Sequence, residues 1–211
     1  MFQVIYCLPM IIAVAAIKGG VGKTTMAMAL AETLSLARPG HPTLLLDLDP
    51  QGSATGFAER TDGLLTRVRP IVGRSAGQLS RLIRDASAGE DVVVIDTPPG
   101  HIDIADAAIG EADLVLIPTE PYLDPLTQAL ATVEMAEGVA PTAIVLNMVN
   151  TSANDSRAAR EVLTGADTKV LDVEIPNWVA IARIDGSQWT TDQKILTIFS
   201  ALAENVLAEV S

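Results

Sequence analysis

Lys18-Gly19-Gly20-Val21-Gly22-Lys23-Thr24-Thr25 brings together the residue types that hold a polyphosphate. Its glycines let the backbone turn tightly and aim N–H groups inward at an anion. Lys23 is spaced to reach the outer phosphates and Thr24 to ligate Mg²⁺ through its hydroxyl, and the first turn of a following helix would add the positive end of its dipole. Gly19, Gly20, Val21, Gly22, Lys23, Thr24 and Thr25 are therefore the expected contacts of a nucleoside triphosphate. Two further stretches supply carboxylates. Asp47-Leu48-Asp49-Pro50-Gln51-Gly52 follows a short apolar run, and the apolar run from Asp91 ends at Asp96-Thr97-Pro98-Pro99-Gly100, where Asp96 is placed to hold Mg²⁺ through water.

Chemistry at these points needs an edge on which they meet. The phosphate loop lies between an apolar run, Met10 to Ala16, and good helix formers from Met26 to Ala37, which is a strand, loop and helix order. Arg38-Pro39-Gly40 ends that helix, and Thr43 to Leu46 reads as a buried strand delivering Asp47 and Asp49. Carboxylates at the C-terminal ends of parallel strands share an edge with the loop, where open α/β sheets bind ligands. Residues 53 to 90 are weakly patterned apart from Leu79, Leu82 and Ile83, which predict a one-sided helix ended by Gly89. Strands are predicted at Asp113 to Pro118, Thr142 to Val149 and Val170 to Ile175, and a helix at Leu123 to Glu137. Ile195, Ile198, Phe199, Leu202, Val206 and Val210 recur at helical spacing. That last helix has Lys194 against Glu204 and Glu209 rather than a basic face, so core packing is expected of it and membrane binding is not.

The chain has 211 residues, 49% hydrophobic and 19% charged with 3% aromatic, which suits one α/β domain whose doubly wound, mostly parallel sheet carries helices on both faces. The apolar start lacks a basic segment before it and runs directly into the loop, so it does not read as a signal peptide. Residues 1–9 are expected to be an extension, or the product of an upstream start codon, and 10–211 the domain. The single cysteine, Cys7, excludes an internal disulfide and points to a cytoplasmic compartment. A net charge of −12 argues against a surface that binds nucleic acid everywhere. Charge is nevertheless uneven. Arg60, Arg67, Arg69, Arg74, Arg81 and Arg84 cluster with Asp62 as the only acid among them, whereas positions 101–137 carry Asp103, Asp106, Glu111, Asp113, Glu120, Asp124, Glu134 and Glu137 and no Lys or Arg. Solvated helix faces and complementary patches for a partner or for self-association are both open readings.

The general pattern G-x-x-x-x-G-K-[ST] would put its first glycine at position 17, but Ile17 stands there with Lys18 beside it. This resembles the deviant Walker A motif of the ParA/MinD family of P-loop ATPases and, at this length, the small ParA-type partition ATPases within it. The resemblance extends from Met10 over nearly the whole chain, with four motifs in the family's order. It implies that Lys18 reaches the ATP of a second subunit, that Asp49 of the switch I stretch positions the attacking water, that Asp47 supports the Mg²⁺ shell, and that Pro98-Pro99-Gly100 is switch II. Asn147 matches the family asparagine that reads the adenine edge, with Asn150 as competitor, and Pro176-Asn177-Trp178 matches the loop that packs on the base. The family often has arginine where Asn177 stands, and Trp178 is open to stacking on adenine, to a partner, or to plain packing. By the same resemblance the cofactors are ATP and Mg²⁺, and the chain forms a homodimer with ATP. A ParB-like or adaptor protein stimulates slow hydrolysis to ADP and phosphate. The switch then serves plasmid or chromosome partition or the positioning of another large cargo. DNA binding, which would place the protein on the nucleoid, is expected to be nonspecific, weak and salt-dependent, because the C-terminal region offers only Arg157, Arg160, Lys169, Arg183 and Lys194, with Arg67 to Arg84 as the alternative surface. A metabolic ATP-dependent enzyme of the dethiobiotin synthetase or cobyrinate amidase type is the rival reading. Against it, the former group usually has Gly-Thr before the loop where this chain has Lys-Gly-Gly.

Overall fold

The computed structural model describes residues 9–73, 75–150, 153–182 and 191–210. Its strands are β1 (Met10–Val14), β2 (Leu44–Asp47), β3 (Arg67–Pro70), β4 (Val92–Asp96), β5 (Leu114–Thr119), β6 (Thr142–Val149) and β7 (Val170–Pro176). They are joined by α1 (Lys23–Ala37), α2 (Ser53–Glu59), α3 (Ala76–Ser87), α4 (Ile102–Ile109), α5 (Leu123–Ala136), α6 (Ala153–Gly165) and α7 (Val179–Ala182), and α8 (Gln193–Glu209) follows. The seven strands form one sheet in the order β3-β2-β4-β1-β5-β6-β7, and every pairing is parallel. From β1 the chain builds β2 and β3 on one side, returns to insert β4 beside β1, and then runs out through β5, β6 and β7 on the other side, so the sheet's switch point lies where β1 gives way to the phosphate loop.

The strands read as continuous apolar runs because both faces are covered. Ile12, Val14, Val92, Val94, Leu114 and Leu116 pack beneath α1 and α8. Their neighbours Ile11, Ala13, Val93 and Ile95 turn to the other face, against α3 and α4. Val115, Ile117, Ile144 and Leu146 meet α5 and α6. In α8, Ile195, Phe199, Leu202 and Val206 are buried, with Ile198 and Val210 packed partly against the same core, so the C-terminal helix is a structural layer as its spacing predicts.

β3 was not legible, and a distant acid explains it. Glu32, buried in α1, accepts from the N–H of Thr66 at 2.7 Å and of Leu65 at 3.1 Å, tying the chain before β3 to the helix. Arg67 and Arg69 then face outward along the edge strand, where charge discourages strand addition by another molecule. The arginine-rich run is partly paired within the chain. Arg67 pairs with Glu90, Arg84 with Glu111 of the acidic stretch, and Arg81 with Asp85 at 3.7 Å. Part of the complementarity seen in the sequence is thus satisfied inside one chain. Of the expected extension, residues 1–8 lie outside the described residues, as do Cys7, Arg74 and Arg183.

Candidate functional site

The phosphate loop is shaped by conformations open to glycine. Gly20 and Gly22 have φ of 82° and 87°, and a Cβ on Gly22 would stand 2.5 Å from Asn147 Nδ2. Gly22 is also the N-cap of α1 and supplies no side-chain cap, so the first-turn N–H groups face the loop unclaimed by any capping side chain. Lys23 is buried, and its Nζ donates to the Lys18 carbonyl at 2.9 Å, which leaves two of its three N–H donors for phosphate oxygens. Desolvation pushes the Lys23 ammonium below its ordinary pKa, while the charges of Asp96 and Asp49 oppose that shift. Thr24 and Thr25 follow on the first turn and line the same cavity.

The carboxylates converge from two adjacent strand ends, for Asp47 and Asp96 are register partners of β2 and β4. Asp47 is fully engaged: its Oδ1 accepts from Asp49 N at 3.1 Å, and its Oδ2 from Thr55 N at 2.8 Å and Thr55 Oγ1 at 2.7 Å. It therefore frames the start of α2. Asp49 lines the cavity, half-buried, with Oδ1 accepting from Gln51 N at 2.9 Å and Oδ2 from Ser53 Oγ at 3.1 Å. Asp96 differs from both. It is 0% exposed and neither carboxylate oxygen has a hydrogen-bond partner among the described residues. Burial raises its pKa to about 7. The facing Thr24 hydroxyl offsets this in part without meeting ordinary hydrogen-bond geometry, Asp47 and Asp49 add to the rise, and Lys23 opposes it. A buried, orphaned carboxylate facing a threonine hydroxyl at the head of the phosphate loop suits a hydrated Mg²⁺, which takes few protein ligands and keeps water and phosphate oxygens as the rest.

The other end of the cavity comes from β6 and β7. Between Leu146 and Val149 the register slips by one residue against β7, and Met148 sits at φ 53°. This bulge turns Asn147 inward, where it is buried and its Nδ2 donates to the Val21 carbonyl at 2.7 Å. Asn147, Pro176, Asn177 and Trp178 line one cavity of ≈380 Å³ with Gly20, Gly22, Lys23, Thr24, Thr25 and Asp49. Asn150 is not in that lining. Its Nδ2 donates to Tyr122 Oη at 3.0 Å and its Oδ1 accepts from Asn177 Nδ2 at 3.2 Å. Lys18 lies at the loop's entrance with its Nζ 2.8 Å from Asp124 Oδ2. Ser53 and Thr55 are not marked by anything local in the sequence, and Asp124 stands out there only as one acid of the 101–137 stretch; each is defined by a contact with a residue that was singled out.

A parallel sheet whose switch point holds a glycine-rich loop, a loop lysine and a strand-end acid facing a threonine defines a P-loop nucleotide-binding protein. The nucleotide-binding domain of the CobQ/CobB/MinD/ParA family matches residues 12–189, and the chain belongs to that family. The chromosome-partitioning ATPase Soj of Thermus thermophilus is 31% identical over 94% of this chain and 96% of its own length. The maintenance of carboxysome distribution protein A of Gloeobacter kilaueensis is 38% identical over 61% of this chain and 57% of its own. Among solved structures, the cell division ATPase MinD of Pyrococcus furiosus superposes with a TM-score of 0.73 at 22% identity over 95% of this chain and 99% of its own. An ATP complex of McdA from Cyanothece gives 0.74 at 19% identity over 95% of this chain and 96% of its own. The chain is accordingly a ParA-type ATPase with ATP and Mg²⁺ as cofactors, of a family that dimerises with ATP and works with partner proteins. A metabolic enzyme of the synthetase or amidase kind is not favoured by these relatives.

Proposed function

We propose that this chain is an ATP-gated dimerisation switch whose two-subunit form holds nucleotide at the seam, and that it serves partition of a plasmid or chromosome region or the positioning of another large cargo. The observation that carries the reading is the exposed apolar set on the sheet edge that bears the phosphate loop. Ile102, Leu123 and Val179 are 61%, 77% and 65% exposed on the segments that follow the carboxyl ends of β4, β5 and β7, where Tyr122 and Trp178 are exposed as well. Exposed apolar residues on the edge that carries the nucleotide site suit closure by a second copy.

In this reading Lys23 and the loop N–H groups hold the phosphates, and Thr24 and Asp96 hold Mg²⁺, which neutralises phosphate charge when bound. Asp49 orients the attacking water, Asp47 fixes Asp49 and α2 rather than standing free, and Asn147 faces the base beside Pro176 and Asn177. Two ATP faces bring roughly eight negative charges together, so the seam needs cations beyond the metal, and Lys18 is the loop's second lysine. A ParB-like or adaptor protein is the proposed stimulator of hydrolysis. DNA binding should be weak and steeply salt-dependent: Arg160 is committed to Glu174 and to the carbonyls of Leu171 and Asp172, and Lys169 to Glu209. We place the protein in the cytoplasm, on the nucleoid only to that extent. No helix among the described residues is long and apolar enough to cross a membrane.

Sedimentation with each nucleotide tests the switch. Asp49→Ala is expected to bind ATP, to hydrolyse it at least about 100-fold more slowly, and to run as a dimer with ATP and a monomer with ADP. Adding Lys18→Ala should abolish the dimer while nucleotide binding survives. An ATP dimer that persists without Lys18 would remove the cross-subunit role.

A further inference from the structure

Helix α5 presents Asp124, Gln128 and Thr132, three polar residues spaced four apart and so on one stripe, to the strand-to-loop junction that carries Lys18. Thr132 Oγ1 accepts from the backbone N–H of Ile17 at 3.3 Å, pinning the residue before Lys18. Asp124 Oδ2 accepts from Lys18 Nζ at 2.8 Å and from Gln128 Nε2 at 3.2 Å. The hydrogen bonds from Lys18 and then Gln128, with the Lys18 charge behind them, hold the Asp124 carboxyl below the ordinary carboxylate range. An acid in the first turn of a helix is favoured by the dipole alone. The dipole does not explain why a lysine 106 residues away in sequence turns back onto it.

We propose that Asp124, braced by Gln128, is a positioning residue that holds Lys18 on its own subunit and thereby sets the threshold for ATP-dependent dimerisation. The inference rests on the cross-subunit reading of Lys18. One ammonium then has two competing acceptors, a single carboxylate of its own chain and the triphosphate of a second copy. The Lys18 and Asp124 side chains are 27% and 75% exposed, so their pair is screened and weak enough for a polyphosphate to displace. Each subunit surrenders one such pair on dimerisation. With each pair worth up to about fivefold, removing both tightens the dimer by up to about 25-fold.

The test uses the full chain with Asp49→Ala to prevent turnover, and reads the dimer dissociation constant with saturating Mg·ATP by sedimentation. Adding Asp124→Asn is expected to tighten the dimer by about 3- to 25-fold, Asp124→Glu to restore the parental value within about twofold, and Glu120→Gln to change it less than about twofold. Glu120→Gln removes equal charge from the turn just before α5, at a residue that does not pair with Lys18, so equal tightening by both would mean general repulsion and overturn the proposal. A dimer no tighter with Asp124→Asn, although Lys18→Ala abolishes it, overturns it as well. Failure of the Lys18 reading itself shows separately, as an ATP dimer that survives Lys18→Ala. A second measurement does not depend on dimers: the Asp124 carboxyl, titrated by NMR in the ADP-bound monomer, should have a depressed midpoint that returns to the ordinary range in Lys18→Ala. An ordinary midpoint in the parent chain overturns the proposal.

Discussion

At the phosphate end of the cavity Lys23 and Asp96 are buried and Gly22 leaves no room for a methyl group, whereas at the base end Asn177 is exposed and Trp178 keeps 37% of its surface. The contrast follows from the two halves of the ligand. A triphosphate is recognised by charge and backbone N–H groups, which act strongly only when water is excluded and geometry is fixed. A base offers a flat apolar face and a few edge groups, so a partly open wall with one directed amide suffices. Asn147 joins the two ends, because the side chain we propose to face the base also bonds the Val21 carbonyl and crowds Gly22.

Three changes probe this division, beginning with the largest expected effect. Gly22→Ala meets both a left-handed backbone at φ 87° and the Asn147 amide, so calorimetry should find ATP binding weakened more than about 100-fold while circular dichroism still reports a folded chain. Retained affinity would mean that the loop can re-form around a side chain.

The second concerns protons. A carboxyl raised to about 7 would have to lose its proton to hold Mg²⁺ as we propose for Asp96, so the Mg²⁺-dependent part of ATP affinity should climb up to about tenfold per pH unit below 7 and level off above it. Without nucleotide the sign reverses. Because the folded pKa lies above the ordinary carboxylate value of 3.8, the protonated Asp96 contributes fully to stability below that value, and the contribution is lost as pH rises through about 7. Denaturant titrations across that window should show the loss, and Asp96→Asn should flatten it. A parent chain equally stable at pH 5 and pH 8 would contradict the orphaned carboxylate.

The smallest effect belongs to the base end. Asn147→Ala should narrow a preference for ATP over GTP by about three- to tenfold while leaving triphosphate binding largely in place. Equal loss for both nucleotides would assign Asn147 to holding Val21 rather than to reading the base.

Much of the phosphate end was legible because its parts are contiguous or end a strand. A loop of glycines with Lys23 and Thr24 needs only its own backbone, and Asp47, Asp49 and Asp96 each follow an apolar run whose burial puts them at one edge. The segment from 53 to 90 was opaque for the opposite reason. β3 is fastened by Glu32 from another element, and the pairing of Arg84 with Glu111 depends on α3 lying beside α4.

The sequence by itself determined the fold class, the glycine-shaped loop between β1 and α1, the placement of acids at the ends of β2 and β4, and the structural role of α8, since each depends on local periodicity or on backbone conformation that nearby residues dictate. Only the tertiary structure decided that Asn147 rather than Asn150 enters the cavity, through the bulge at Met148, that Asp47 is spent on Thr55 while Asp96 stands unpartnered, and that Lys18 rests on Asp124. These outcomes depend on side chains brought within about 3 Å from strands and helices far apart in the chain, and hydrogen bonds of that reach leave no periodic trace in the order of residues.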